Sequence, residues 1–505
     1  MINVSLSLFF LILFTFYNSS AGLLNIKPLK PKANENLELR YTPVHEIEHK
    51  IDQLTASVYF FTEGQVDPTA QDFEMTNSKN EWKTNVQIPN DAVFVLIKIA
   101  GKDFVDNNEG HFWDAMVYEK NGTPRYYANM RLGISYMGIL PQHCRRNAST
   151  EFALNAYETE LKHHPNNHQA KIGKASLELD SKVITQQQFA ETAQIAIKQF
   201  NPSKEQEIRS AYRLLRSLKQ KDKADSIGQW YVSVNPTSEF AEEFVYDRLN
   251  SGIAKEELSD KFTEALFNYP LHKDYSKYPA AYPRFSQQTG NVDKAVQAVN
   301  QVVESVHPLL LTIMADALST SESTYYNDAV KYSDQAVKSL EERPFRFKPK
   351  HQTSLDWNPI YLQLLSDAYA VSALSNVKVG NNTLALKQLE KACLRNEDMI
   401  DNPTIAKSLS DLYEAAGDKR NAYRSVEKAL SRGASSSELW EKHRSLHQEL
   451  FTKANYTHKV DSIGKLAEKA TLKKLMSSML NLPAVNGTLV NPEGKTIQLS
   501  ELKGK

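Results

Sequence analysis

Hydrophobic and polar residues alternate along the first part of the chain. Leu37, Leu39 and Tyr41 are separated by Glu38 and Arg40, and Trp82, Thr84, Val86 and Ile88 by Lys83, Asn85 and Gln87, so each run places its apolar side chains on one face of a strand. Val58-Tyr59-Phe60-Phe61 predicts another strand, and Val93 to Ile99 is apolar enough to predict one buried on both faces. Pro89-Asn90-Asp91 ends the run before it. Trp113 to Tyr118 predicts a further strand, followed by a turn at Asn121-Gly122 and a resumed strand from Tyr126 onward.

The pattern changes at about Glu151. Strand signals fade and a helical period holds to roughly Met479, so the chain reads as a multi-domain α+β protein. The short, Pro-, Gly- and Asn-punctuated strands of residues 22–140 predict a β-sandwich of immunoglobulin-like type. Residues 141–480 predict an α-helical domain with internal repeats. In 403–430, Leu409, Tyr413, Gly417, Ala422, Val426 and Ala429 fall at positions that resemble a tetratricopeptide repeat. Small residues stand where two helices would cross closely, larger ones fill the gap, and Gly417 would end the first helix. Gly290, Ala295, Val299 and Val302 resemble the second-helix positions of another copy, and Ala329 and Ala336 those of the next, with Ala295 and Ala329 standing 34 residues apart, the tetratricopeptide period. Ala385, Leu389 and Ala392 repeat the spacing of Ala422, Val426 and Ala429, and Ala153, Tyr157 and Pro165 fit an earlier copy. An irregular helical bundle is the alternative, because small-residue spacing on amphipathic helices imitates repeats.

The N-terminus carries no charged side chain before Lys27, and Leu6 to Phe16 is almost wholly apolar. Small residues follow, with Ser19 and Ala21 placed as a signal peptidase requires, so residues 1–21 read as a cleaved secretion signal and the protein as exported, to the periplasm or cell envelope. A retained anchor is the alternative, since no Lys or Arg precedes the apolar run.

At the other end, Asn491-Pro492-Glu493-Gly494-Lys495-Thr496-Ile497-Gln498-Leu499-Ser500-Glu501-Leu502-Lys503-Gly504-Lys505 resembles the entrance of the thioredoxin-like domain in TlpA/ResA-type proteins. Gly494, Lys495, Leu499, Ser500, Leu502, Gly504 and Lys505 match; Val485 and Gly487 depart, standing where that family has a proline and an aromatic. The resemblance implies that residues 481–505 open a thioredoxin-like domain with a hairpin of Gly487–Val490 and Thr496–Leu499. It implies an exported thiol–disulfide oxidoreductase of the kind found in Bacteroidetes-type bacteria, whose Cys-x-x-Cys pair would follow Lys505. The chain itself would then be an accessory portion that binds a protein partner or disulfide-bearing substrate protein. A non-enzymatic repeat scaffold and a glycan-binding protein are the alternatives.

Composition removes several classes and adds none. Hydrophobic residues make up 41% and charged residues 24%, and 60 Lys and Arg balance 60 Asp and Glu, so no global charge favours nucleic acid. Arg346, Lys348 and Lys350 cluster around Pro349 in what reads as a solvated loop. Cys144 and Cys393 are the only cysteines; they read as two separate thiols, with a disulfide as the alternative. His45-Glu46-Ile47-Glu48-His49 matches the zinc-hydrolase pattern but has no third ligand at a recognisable spacing, which favours a surface helix or loop. Asp106-Asn107-Asn108-Glu109-Gly110 carries oxygen ligands that suit calcium but reads as a turn. Trp82, Trp113, Tyr118, Tyr126 and Tyr127 read as core, with a sugar-binding platform as the alternative. His163, His164 and His168 beside Pro165 suit a helix end. No residue is assigned a catalytic, cofactor or metal role.

Overall fold

Alternation becomes register in the N-terminal strands: β1 (Leu23–Lys27), β2 (Asn36–Thr42), β3 (Leu54–Thr62), β4 (Thr69–Ser78), β5 (Glu81–Gln87), β6 (Ala92–Gly101), β7 (Phe104–Asp106) and β8 (Trp113–Met116). The structure is a computed structural model that describes residues 22–43, 53–63, 67–78, 81–101, 104–251, 255–270, 292–451, 456–478, 488–490 and 496–498. Leu37, Leu39 and Tyr41 of β2 are buried opposite Val86, Thr84 and Trp82 of β5. The central strand β6 is buried on both faces, as its composition requires. Val95, Ile97 and Ile99 join the core formed with β2 and β5, while Phe94 and Leu96 face a second core with Tyr59 and Phe61 of β3 and with helical residues from Tyr127 to Leu177.

The immunoglobulin-like sandwich is corrected in one respect. The strands form a single antiparallel sheet in the order β1-β2-β5-β4-β3-β6-β7, with β8 also paired to β6. The reason lies in β4, whose Thr69–Met75 stretch pairs with β3 and whose Thr76–Ser78 stretch pairs with β5. One long strand therefore carries the hydrogen-bond ladder between the halves that a sandwich would separate. The sheet's inner faces still enclose a common core containing Leu39, Trp82, Val58 and Ile97.

A second correction concerns Tyr126 onward, where a strand was expected. Ala128–Ser135 is instead a helix, α1. Its first turn is supplied with an acceptor from a distant element. The fully buried Glu160 accepts hydrogen bonds from the backbone N–H groups of Tyr127 (2.8 Å), Asn129 (3.1 Å) and Met130 (3.3 Å), the donors that a helix start otherwise leaves unpaired.

Helices then follow in series: α2 (Thr150–His163), α3 (His168–Asp180), α4 (Gln186–Gln199), α5 (Glu205–Ser217), α6 (Lys221–Val234), α7 (Glu239–Ser251), α8 (Lys255–Asn268), α9 (Val292–Val302), α10 (Pro308–Ser319), α11 (Tyr326–Glu342), α12 (Ser354–Lys378) and α13 (Asn382–Arg395). Caps written in the sequence set several starts: Ser149, Asn167 and Thr185 each accept from the first turn of α2, α3 and α4. Neighbours pack as antiparallel pairs joined by short connections, and α10 and α12, two apart, also touch. The small residues singled out in the sequence stand at the crossings: Ala153, Ala295, Ala329, Ala336, Ala385 and Ala392 are all fully buried. Gly290 lies outside the described residues.

The chain divides into two compact units, Asn18–Glu397 and a second that gathers the chain from Asp398 onward. The second holds α14 (Pro403–Ala415), α15 (Lys419–Ser431), α16 (Ser437–Leu450) and α17 (Tyr456–Ser478). Gly417, at φ 81°, ends α14: its N–H donates to the Glu414 carbonyl at 2.8 Å and the next N–H, of Asp418, to the Tyr413 carbonyl at 2.8 Å. Ala422, Val426 and Ala429 are fully buried where α15 meets its neighbours. This is the tetratricopeptide-like hairpin that the sequence pattern describes. Two short strands, β9 (Thr488–Val490) and β10 (Thr496–Gln498), pair antiparallel with Ile497 opposite Leu489.

Candidate functional site

Most of the chemistry noted in the sequence is absorbed by packing. Asp106 accepts from the Tyr41 hydroxyl (2.7 Å), the Gly22 N–H (2.7 Å) and the Asn108 N–H (2.9 Å), and Asn107 accepts from the Gly110 N–H (2.9 Å), so Asp106–Gly110 is a turn closed on itself. Trp82 sits in one core and Tyr127 in the other, so the five aromatics form no common platform; Tyr126 alone of that group borders a cleft considered below. Cys144 is buried, burial pushes its thiol well above the ordinary range, and it forms no disulfide with Cys393. Arg346, Lys348 and Lys350 belong to a segment that docks rather than floats: Phe347 is buried, and the Ala70 N–H donates to the Lys350 carbonyl at 2.8 Å. His164 caps α2, its N–H on the Glu160 carbonyl. His45 to His49, residues 1–21 and most of 481–505 lie outside the described residues.

Three features remain. The first is a buried polar junction between the sheet and α12. Lys98 projects from β6, and its Nζ donates to Asp356 Oδ1 at 2.6 Å and to the His143 carbonyl at 3.0 Å. The Tyr59 hydroxyl donates to Asp356 Oδ2 at 2.7 Å. Asp356 also closes the capping box of α12 with Thr353, and the Leu355 N–H donates to Asp72 at 3.0 Å. His143 Nε2 donates to the His351 carbonyl at 2.8 Å, with the two imidazoles stacked at 5.3 Å. Burial works to raise the Asp356 pKa, but Lys98 and the Tyr59 hydroxyl outweigh it and hold the carboxyl below its ordinary range. Burial pushes His143 down to about 4, so its ring is neutral. Every strong donor here has an internal acceptor, which marks the junction as a structural tie.

The second feature is a polar cleft at the start of the helical series. Two adjoining cavities of about 300 and 210 Å³ share Tyr127, Gln169, Lys204 and Glu207. Glu63, at the end of β3, borders the larger, and Tyr126 and His168 border the smaller. Its floor is fixed from below by Arg131, fully buried, whose guanidinium donates to the carbonyls of Thr62 (3.0 Å) and Glu63 (3.3 Å) and to Gln206 Oε1 (3.2 Å). Burial pulls the Arg131 pKa down to about 10, which leaves it charged at neutral pH. Lys204 bridges Glu63 at 3.1 Å and Glu207 at 3.8 Å across the mouth.

The third is a row of exposed apolar side chains on alternate helices. Phe152 in α2, Ile195 in α4, Trp230 and Val234 in α6 and Phe267 in α8 are between 45% and 62% exposed. Among the described residues, α3, α5 and α7 carry no large apolar side chain so exposed. In a stack of antiparallel helix pairs, helices two apart belong to one layer. The pattern therefore gives one layer an apolar outer surface and leaves the other polar.

No protein-family model matches the chain, and no curated protein matches it. Among solved structures it is similar to yeast Tom70, at 13% identity over 72% of this chain and 66% of that one, with a TM-score of 0.29. A chain of the APC/C hetero-tetramer Cut9-Hcn1 matches at 12% identity over 59% and 52%, TM-score 0.27, and a tetratricopeptide repeat protein from Parabacteroides merdae at 13% over 59% and 92%, TM-score 0.21. The match spans about half the length of the Cut9-Hcn1 chain. Scores of this size carry no argument, and the repeat-like character of the helical region rests on its own crossings and caps.

The sequence reading missed Lys98, Glu160 and Arg131. One signal was present for Lys98: a lone cation inside the apolar run Val93–Ile99 needs a buried partner wherever that strand is covered on both faces. Glu160 and Arg131 sit among ordinary amphipathic helix positions and carry no such mark.

Proposed function

We propose that this chain is a protein-binding scaffold whose helical series presents an apolar layer to a partner. The observation that carries the reading is the restriction of exposed Phe152, Ile195, Trp230 and Phe267 to alternate helices. Scattered apolar exposure is ordinary, but confinement to one layer gives a continuous surface of the kind that interfaces use. Trp and Phe on that layer are the residue types that anchor protein interfaces. Selection of a random-peptide phage library on purified residues 22–505 tests it. Enriched peptides should bind the parent chain and lose binding to the Ile195→Glu/Trp230→Glu variant. Absence of enrichment, or peptides that bind the variant equally, refutes the reading.

A second reading is favoured by the pairing of Thr488–Val490 with Thr496–Gln498, the hairpin that the TlpA/ResA resemblance calls for. On that reading the scaffold is exported, and it delivers a disulfide-bearing partner to a thioredoxin-like domain that begins near residue 481. An in-frame Cys-x-x-Cys codon set beyond the codon for Lys505 supports it, and a stop codon there removes it. Export is checked separately by N-terminal sequencing, which should return a start near Gly22.

A further inference from the structure

We infer that the polar cleft between the end of β3 and the starts of α3 and α5 binds a short neutral saccharide. The argument begins with donors that the fold leaves open. Gln169 Nε2 and His168 Nδ1 are shielded from solvent and have no hydrogen-bond partner, although the same Gln169 uses its Oε1 to accept from Gln206 Nε2 at 3.2 Å. Buried polar groups are satisfied in the great majority of cases, so open donors that border a cavity point to a ligand bearing acceptors.

Charge narrows the class. Glu63, Glu205 and Glu207 border the larger cavity against the single ammonium of Lys204, which disfavours an anion. A cation finds those carboxylates already engaged: Glu63 and Glu207 by Lys204, Glu205 by Arg209 at 3.0 Å, and Glu207 also by the Asn201 N–H at 2.7 Å. What fits is a neutral molecule whose groups both accept and donate, accepting from Gln169 and His168 and donating to remaining carboxylate lone pairs. Vicinal hydroxyls do both from adjacent carbons. Tyr126, half-buried, packs its ring edge-on against Tyr127 at 4.4 Å and His164 at 5.0 Å and so offers a fixed aromatic surface for the C–H face of a sugar ring.

The cleft is also preformed. Glu160 fixes the backbone at Tyr127, and Asn167, buried, caps α3 by accepting from the Ala170 N–H at 3.1 Å, which sets His168 and Gln169. Preformed, mixed-polarity cavities of this size are the usual form of small-ligand sites.

The test uses the full chain with maltotriose, cellotriose, chitotriose and mannotriose as probes, read by saturation-transfer NMR and by calorimetry. At least one should bind. Gln169→Leu and Tyr126→Ala should each weaken it by about tenfold or more with the thermal unfolding profile unchanged. If none of the four binds at millimolar concentration, or if both variants bind as tightly as the parent, the inference is overturned.

Discussion

Replacing Asp356 by alanine should be among the most damaging single changes in the Asn18–Glu397 unit. The carboxylate receives Lys98 Nζ at 2.6 Å, the Tyr59 hydroxyl at 2.7 Å and the Thr353 N–H at 3.1 Å. The Lys98 and Asp356 side chains are only 6% and 5% exposed, so water cannot replace what is lost. Removing one partner of a buried ion pair strands the other charge and costs about 3–5 kcal/mol. Here Lys98 keeps one acceptor, the His143 carbonyl, which places the expected loss near the middle, about 4 kcal/mol. Replacing both members, Lys98→Met with Asp356→Leu, removes the stranded charge and should recover most of that loss, giving a coupling of about 2 kcal/mol or more. Urea unfolding followed by tryptophan fluorescence suits the measurement, because Trp357 is fully buried beside Asp356 with its indole N–H on the Pro344 carbonyl. A loss below about 1 kcal/mol in Asp356→Ala, or a double variant no more stable than the single, refutes the reasoning.

Three other outcomes are expected. Ala422→Trp and Ala429→Trp should each cost roughly 1–3 kcal/mol by overpacking the fully buried crossing of α14, α15 and their neighbours, and neutral urea midpoints at both sites would contradict the repeat packing. Gly417→Ala should cost about 1 kcal/mol because the position holds φ 81°, although the added methyl meets nothing within 4 Å; an unchanged thermal midpoint would mean that α14 ends otherwise. His443 is buried against Tyr423 at 4.7 Å, and burial pushes its pKa down to about 4 from the ordinary 6.5. Its contribution to the unit from Asp398 onward should be complete above pH 6.5 and fall by roughly 1–3 kcal/mol as pH drops toward 4, a dependence absent in His443→Phe; identical urea midpoints for the parent at pH 7 and pH 4.5 would show that the ring is not held neutral.

What the sequence by itself determined were the features whose cause is local. Period-two alternation put Leu37, Leu39 and Tyr41 inside, the apolar run from Val93 buried β6 on both faces, small residues at repeat spacing marked the helix crossings, and Gly417 ended α14, because each depends on a few neighbouring side chains or on one backbone conformation. The tertiary structure decided whatever needed a partner from far along the chain. Strand β4 keeps the sheet whole by pairing differently along its two halves, and α1 starts where Glu160, some thirty residues later, supplies acceptors for its first turn. Lys98 stays charged in the core because Asp356, 258 residues away, arrives beside it. The cleft at Gln169 has the same origin: its walls come from β3, α1, α3 and α5, and no single segment carries enough of it to leave a pattern. Local geometry is encoded in short-range spacing, whereas burial of charge and the shape of a cavity exist only after distant segments have packed.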